Sequence, residues 1–347
     1  MDERVTPKEL AFFAPAEWDH QEAVWTAWPS HGELWQEGLA PAQESFANLA
    51  KAIASAGETA PHLHICVPTP EAAEDCARAL AGVNHTRHIE LFGDIWLRDT
   101  APIFLRNAGG ERASAVFRFN GWGEKYALPG DDTLAGRIAA HAGFRAFQLP
   151  LVLEGGSVEY DGEGTVLTTR QCLLNPNRNR ALGEAEIERQ LHEALGTEKA
   201  LWVTDGLLND HTDGHIDTIA RLIAPGVALC MEPSGSDDPN REVLVAIRRE
   251  LEAMVDARGR KLQVHVVPSP GLVENEDGDV MPASHVNYLV TNGVVVVPLY
   301  ETDYDDAVLK AFEPLFPGRR VIGVQAKPIL EGGGAFHCIT QQVPSGR

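Results

Sequence analysis

The sequence has little positive charge. Lys and Arg number 29 against 50 Asp and Glu, a formal net charge of −21 at neutral pH. A surface of that sign repels nucleic acid and anionic membranes, and no basic patch interleaved with aromatics offsets it. It suits a small cationic ligand, although solubility alone accounts for the same number. Cysteine is scarce: five residues, Cys66, Cys76, Cys172, Cys230 and Cys338, with no C-x-x-C pair. An odd count without paired spacing argues against a disulfide framework or a zinc knuckle and fits a reducing compartment. No apolar run reaches the roughly 18 to 20 residues of a membrane helix. The start, Met1 to Leu10, is charged and carries no apolar signal region, so a cytoplasmic protein is expected. Gly-x-Ser-x-Gly, a phosphate loop and a dinucleotide fingerprint are missing too, which removes the signatures of serine-triad, NTP-dependent and nicotinamide chemistry.

What is present reads as an ordinary globular α/β chain. The 347 residues are 44% hydrophobic, enough for a sizeable core. No Pro/Gly/Ser-rich linker divides it, so 1–347 is expected to be one domain. Trp18, Trp25, Trp28 and Trp35 crowd the first fifty residues, as if packing an N-terminal segment onto the body. Apolar spacing of three and four predicts helices over Gln43–Ala56, Glu71–Ala81, Asp132–Ala142, Gly183–Leu195, Asn240–Ala257 and Asp305–Phe312. Short apolar runs predict strands over His62–Val67, Thr165–Thr169, Ile216–Ile223, Val227–Cys230, Leu262–Val267, His285–Val290 and Val294–Leu299.

Five blocks share one pattern, a polar turn followed by an apolar strand. They are Gly93-Asp-Ile-Trp-Leu-Arg-Asp-Thr, Glu154-Gly-Gly-Ser-Val-Glu-Tyr, Asp213-Gly-His-Ile-Asp-Thr-Ile, Ala283-Ser-His-Val-Asn-Tyr-Leu and Gly333-Gly-Ala-Phe-His-Cys-Ile-Thr. Intervals of about fifty to seventy residues suggest a radial repeat. His215-x-Asp217 and His285-x-Asn287 have the spacing that puts both side chains on one strand face. Five such strands around one axis would aim their polar faces into a central pit.

Several residues in these blocks could carry chemistry. Cys338 follows three glycines, which permit close approach of a ligand; it is a candidate nucleophile or a buried structural thiol. The other cysteines sit in apolar or helical surroundings and read as inert. His215 and Asp217 could supply an acid/base and a carboxylate. The rival is a metal site through His211 and His215, four apart, but Gly214 between them works against the helix such a pair needs. Trp96 could stack on a flat cation that Asp99 binds, or simply fill the core. Glu154, before two glycines, is either a turn residue or one that reaches into a crowded pit. Asn120-Gly121 marks a turn, and Trp122 beside it lines a pocket or anchors a loop.

Taken together, the blocks resemble the agmatine deiminases of the guanidino-group-modifying (pentein) superfamily. The likeness runs from Pro15-Ala-Glu-Trp18 and Trp25-x-x-Trp28-Pro29, through the Gly93, Glu154 and Asn209–Asp217 blocks, to Gly332–Thr340. It implies a five-bladed α/β propeller of ββαβ units around a central polar pit. It also implies that Cys338 is the nucleophile, His215 the general acid/base and Glu154 the carboxylate orienting it. Asp99 and Asp217 would grip the guanidinium, and Trp96 would pack on the substrate, with Trp122 a further lining residue. The implied reaction is hydrolysis of agmatine to N-carbamoylputrescine and ammonia through a covalent amidino thioether, on the route to putrescine. It needs no metal or organic cofactor, and its partner is a small guanidinium; a homo-oligomer would be compatible. Alternatives are a deiminase of arginine or peptidylarginine, an amidinotransferase with the same nucleophile, a non-catalytic binder and a metallohydrolase. Arginine would call for a cation to hold its carboxylate, with Arg98, Arg118, Arg178 and Arg221 near the motifs.

Overall fold

The structure, a computed structural model, describes residues 5–346; the first four residues of the charged Met1–Leu10 stretch lie outside the described residues, as does Arg347. Its strands fall into five small sheets taken in chain order. The first holds β1 (Gln21–Ala27), β2 (His62–Val67) and β3 (His85–Ile89). The second holds β4 (Ile103–Arg106), β5 (Arg112–Arg118) and β6 (Arg145–Val152), and the third β7 (Val158–Tyr160), β8 (Thr165–Thr169) and β9 (Lys199–Val203). The fourth is β10 (Ala220–Ala224), β11 (Val227–Glu232) and β12 (Gln263–Pro268), and the fifth β13 (Leu289–Val290), β14 (Val294–Leu299) and β15 (Arg320–Gln325). The last strand, β16 (Thr340–Pro344), returns to the first sheet and pairs antiparallel with β1, Trp25 opposite Gln341.

Every sheet contains one connection, completed in the first by β16 pairing with β1, and the first sheet adds a second crossover to β3. An antiparallel pair is followed by a helical crossover to a parallel third strand. This is the ββαβ unit, and five of them make the five-bladed α/β propeller. Pairing of the last strand with the first closes the ring, with β16 as an edge strand of the first sheet. The crossover helices are Leu39–Ala54, Asp131–Ala142, Glu184–Leu195, Arg241–Ala253 and Asp305–Phe312. Helix Leu39–Ala54 buries Phe46, Leu49, Ala50 and Ile53, one face at the helical period. Strand β14 is covered on both sides and so carries a continuous Val294–Val297 run without alternation.

All six expected helices are present, Asp305–Phe312 with the expected bounds and the other five with displaced ends. Helix Pro70–Ala79 starts a residue before the expected Glu71, because Thr69 caps it, accepting from Ala72 N at 3.2 Å, and Pro70 occupies the first turn. The helix expected to reach Ala257 stops at Ala253. There Asp256 accepts the backbone N–H groups of Arg258 and Arg260, at 2.9 and 2.8 Å, and the chain turns instead. Two expected strands are shorter than their apolar runs. Residues 216–218 form a 3₁₀ turn ahead of β10, and of His285–Val290 only the last two residues are strand.

These shortenings place the polar blocks. Each of the five ends against the first strand of an antiparallel pair: before β4, β7, β10, β13 and β16. A buried ion network ties the blades together beneath them. Arg221 on β10, 1% exposed, pairs with Glu17 of the N-terminal segment and with Glu159 on β7. It also donates to the Tyr288 carbonyl of the fifth block at 2.9 Å. His337 of the last block reaches Glu17 at 2.9 Å. Burial works against charge on Glu17, but Arg221 and then His337 hold its carboxyl well below the ordinary range. Removing one member of such a network strands the others without water. Arg221→Met is therefore expected to lower unfolding stability by about 3–5 kcal/mol, measured by urea unfolding. A loss below about 1 kcal/mol, the scale of an exposed pair, would contradict this role for the network.

Candidate active site

The polar blocks converge on a buried centre. Cys338 is 5% exposed, and its Sγ lies 3.1 Å from Asn287 Nδ2 and 3.8 Å from Asp217 Oδ2. Asp217 is fully buried; Oδ2 accepts from His337 Nδ1 at 2.7 Å, while Oδ1 has no partner. Asp99 Oδ2 accepts from Trp122 Nε1 at 2.8 Å, and Oδ1 from the Gly156 N–H at 2.8 Å. His215 stands between two carboxylates, Nδ1 3.8 Å from Asp99 Oδ1 and Nε2 3.9 Å from Glu154 Oε2. Those are ion-pair distances, longer than hydrogen bonds, and both ring nitrogens are otherwise unpartnered. Glu154 is fixed from behind: Oε1 accepts from Arg178 Nε at 2.6 Å, and Arg178 also pairs with Asp213 at 2.8 Å.

Local backbone explains why these side chains face inward. The expected strand placement of His215 and Asp217 does not hold. His215 precedes a single 3₁₀ turn, Ile216–Thr218, that carries Asp217. Cys338 likewise sits in the turn before β16 rather than on a strand, and Asp99 in the short helix Leu97–Thr100. A strand sends alternate residues to opposite faces, whereas one tight turn can direct several polar groups into the same small space. Trp122 adopts a left-handed φ of 53° between Gly121 and Gly123, a conformation bulky residues rarely take. That turn brings its indole N–H onto Asp99.

Glycine is required where the groups crowd. A Cβ at Gly156 would stand 2.6 Å from His215 Nδ1 and 3.0 Å from both Asp217 Oδ2 and Asp99 Oδ1. A Cβ at Gly334 would stand 2.8 Å from the Trp96 ring and 3.0 Å from Cys338 Sγ. Trp96 is thus a wall next to the sulfur. Its indole N–H and that of Trp35 donate to the two oxygens of Asp94, each at 2.9 Å, and the two rings stack at 6.3 Å.

The charge state follows from these contacts. Burial raises the Cys338 thiol, and Asp217 and Asp99 push it further, well above its usual value, so the resting group is the neutral thiol. Burial disfavours charge on His215, but Asp99 with Cys172 and Glu154 outweighs it and raises the imidazole well above its usual value. Burial likewise opposes the Asp217 and Glu154 carboxylates. His337 holds Asp217 below the ordinary range, and His215 with Arg178 does the same for Glu154. Burial raises Asp99.

All seven residues singled out from the sequence, Cys338, His215, Glu154, Asp99, Asp217, Trp96 and Trp122, meet here. His211 does not join them. It lies on an exposed loop with Nδ1 3.1 Å from the Tyr126 hydroxyl, off any helix it could share with His215. Glu154, Cys172 and His215 do bring ligand-type atoms within 4.8 Å of one another, as do Glu17, Glu159 and His337. In the second group Arg221 already neutralises the carboxylates. The sequence reading missed Asn287, His337, Arg178, Asp94 and the stacking role of Trp35. Asn287 had a signal, since His285-x-Asn287 repeats the spacing of His215-x-Asp217. The others act through partners distant in sequence, Arg178 within the third blade and His337 across blades, which local pattern does not encode.

The ring of five ββαβ blades with its polar centre defines a pentein-type α/β propeller. The family model described as Porphyromonas-type peptidyl-arginine deiminase matches residues 13–344, and the chain belongs to that family. A Yersinia pestis protein assigned as an agmatine deiminase is 37% identical over 98% of this chain and 97% of its own length. One from Vibrio parahaemolyticus is 35% identical over 98% and 99%. The solved structure of the agmatine deiminase of Enterococcus faecalis superposes with a TM-score of 0.93 at 34% identity, covering 99% of both chains.

The contacts at Gly156 give a direct test of crowding. Gly156→Ala is expected to leave the fold intact and reduce turnover of a guanidinium substrate by about a hundredfold, the scale of a displacement near 1 Å among reacting groups. Wild-type turnover in a folded Gly156→Ala protein would show that the centre is not as closely fitted as described.

Proposed function

We propose that the chain hydrolyses agmatine to N-carbamoylputrescine and ammonia, with Cys338 as nucleophile and His215 as general acid and base. The observation that carries this reading is the juxtaposition of the buried thiol with unpaired acceptors: Asp217 Oδ1 has no partner, and Asp217 Oδ2 lies 3.8 Å from Cys338 Sγ. A guanidinium offers planar N–H edges that suit two carboxylates. Asp99 and Asp217, bridged by its N–H groups, would hold its central carbon against the sulfur, with Trp96 alongside. The family membership and the names of the relatives support the same substrate class.

The charge state gives the substrate a part in its own activation. The two carboxylates that raise the thiol are the ones a bound guanidinium would neutralise, so substrate binding favours thiolate, the thiol proton being released to solvent. Sulfur attacks the guanidinium carbon and forms a tetrahedral adduct. His215, held as imidazolium, gives its proton to the departing nitrogen; the C–N bond breaks and ammonia leaves. An amidino thioether remains on Cys338. The now neutral His215 takes a proton from water, the resulting hydroxide adds to the same carbon, and the C–S bond breaks to give the ureido product, the proton of the adduct's hydroxyl passing to the leaving sulfur to restore the Cys338 thiol. Glu154, fixed by Arg178, orients the imidazole and stabilises its charged form. No step calls for an added cofactor.

The arginines favour agmatine over arginine. Arg98 donates to Gln341 and Gln342, each at 2.8 Å, Arg178 is bound to Glu154 and Asp213, and Arg221 to Glu17 and Glu159. Arg178 and Arg221 are paired with carboxylates inside the protein, Arg98 is buried with donors committed to Gln341 and Gln342 and only its Nη2 unpartnered, and Arg118 is exposed at the end of β5. We read 1–347 as one domain acting in the cytoplasm, without nucleic-acid or membrane partners and compatible with a homo-oligomer. The net charge of −21 supports the exclusion of nucleic acid and anionic membranes; among the described residues no helix is long and apolar enough to cross a membrane.

Product analysis tests the reading. Purified protein is incubated separately with agmatine, arginine and a blocked arginyl peptide, and ureido product and ammonia are measured. Agmatine alone is expected to turn over, and Cys338→Ala to abolish it while remaining folded. Preferred turnover of arginine or the peptide overturns the substrate, and substantial turnover by Cys338→Ala overturns the nucleophile.

A further inference from the structure

Two loops lead from the surface into the centre, and side chains at their outer ends tie them together. One is the segment 121–126 of the second blade; the other, 209–214, leads into His215. Each joins exposed residues to a buried one, Lys125 and Tyr126 to Trp122, and His211 to His215. Lys125 Nζ donates to Asp213 Oδ1 at 2.6 Å and to the His211 carbonyl at 2.8 Å. The Tyr126 ring stacks on His211 with centroids 6.1 Å apart, and its hydroxyl lies 3.1 Å from His211 Nδ1. Of the seven described non-glycine residues with positive φ, four lie in these two loops: Trp122, Glu124, Asn209 and Asp213. Backbone held in such conformations persists only where the surrounding contacts over-determine it, and here those contacts are the tie.

The tie reaches the acid/base from both sides. Trp122 donates to Asp99 Oδ2, and Asp99 Oδ1 lies 3.8 Å from His215 Nδ1. On the other side, Asp213 Oδ2 accepts from Arg178 Nη1 at 2.8 Å and from Asn177 Nδ2 at 3.0 Å. Arg178 in turn holds Glu154 Oε1, and Glu154 Oε2 lies 3.9 Å from His215 Nε2. The first loop also packs directly on this pair, since a Cβ at Gly123 would stand 2.5 Å from Arg178 Nη1. Lys125, Asp213, Arg178, Glu154 and His215 thus form a relay of alternating charge from the surface to the imidazole. Its inner links are dry, the Arg178 and Glu154 side chains both being 0% exposed. Burial opposes charge on Asp213, but Lys125, Asn177 and Arg178 hold its carboxyl below the ordinary range. Besides Asp99 and Glu154, the ionisable groups acting on His215 are Cys172 and Asp217.

We propose that Lys125 and Asp213 are positioning residues for the guanidinium chemistry: the latch they form fixes Arg178 on Glu154 and Trp122 on Asp99, and so aligns His215 between its two carboxylates. Both act through other residues, and their importance for turnover rests on the reading of His215 as general acid and base. Because Arg178 is shared between Asp213 and Glu154, the relay has a sign. Loss of the Lys125 charge lets Asp213 draw more on Arg178, and Glu154 then holds His215 more strongly as imidazolium. Loss of the Asp213 charge commits Arg178 to Glu154 and weakens that hold.

The test compares the full chain with Lys125→Met and Asp213→Asn. Lys125 is at the surface, and Asn tolerates the left-handed φ of 64° at position 213, so both variants are expected to fold with urea midpoints close to wild type. With whichever of agmatine, arginine and the arginyl peptide is turned over, each variant is expected to lose about tenfold in kcat with KM little changed. A second readout needs no substrate: ¹⁵N NMR of the imidazoles, with His215 identified by its loss in His215→Asn. It is recorded at about 1 M salt, where a Debye length of about 3 Å screens any effect carried through water. The His215 titration midpoint is expected to move to higher pH in Lys125→Met and to lower pH in Asp213→Asn, opposite shifts that loosened structure alone would not give. A midpoint unchanged in both variants, or moved the same way in both, overturns the proposal, as does wild-type kcat in both.

Discussion

A buried carboxylate persists in a fold only when a cation or a set of donors compensates for lost water, and the interior of this protein is organised by that constraint. Arg221 neutralises Glu17 and Glu159. Arg178 neutralises Glu154, and His337 Nδ1 lies 2.7 Å from Asp217 Oδ2. What these partners leave unpaired is as informative: one oxygen of Asp217, one of Glu154 and both nitrogens of His215. The compensation is nearly complete around the rim and incomplete at the sulfur. A planar cation is the ligand that would complete it.

The same constraint links fold to chemistry. Arg178 and Glu154 belong to the third blade, but Arg221 and Glu159 lie on different blades, as do His337 and Asp217, so the ring must close before those charges balance. Pairing of β16 with β1 brings the Cys338 and His337 turn to the N-terminal segment that carries Glu17. Stability and reactivity therefore draw on one network, and a change at Arg221 reaches Asp217 through Glu17 and His337. The raised thiol is a consequence of the same arrangement. Carboxylates placed to hold a guanidinium also suppress ionisation of the sulfur until the guanidinium arrives.

Much of this was legible in the sequence because the repeated blocks mark the centre directly. Glycine pairs beside carboxylates, and His-x-Asp spacing before an apolar run, identified the residues that meet. The period of the blocks indicated five units. Strands His62–Val67, Thr165–Thr169 and Val294–Leu299 lie where their apolar runs end. The alternation rule failed at His215 and Asp217, where Asp210 and Thr212 accept backbone and side-chain hydrogens and bend the chain into a turn. What stayed hidden was long-range pairing. Nothing near Arg178 in sequence announces Glu154, and nothing near Trp35 announces Asp94. Such contacts exist only once the chain has folded.

The central claim is that Cys338 becomes covalently attached to the substrate carbon. Rapid acid quenching during agmatine turnover, followed by mass spectrometry of the peptide containing Cys338, tests it most directly. The account predicts an adduct on Cys338 with the mass of agmatine less ammonia, appearing during turnover and absent from the His215-intact, Cys338→Ala protein. Turnover with no adduct on Cys338 at any quench time, or an adduct on another residue, would contradict it.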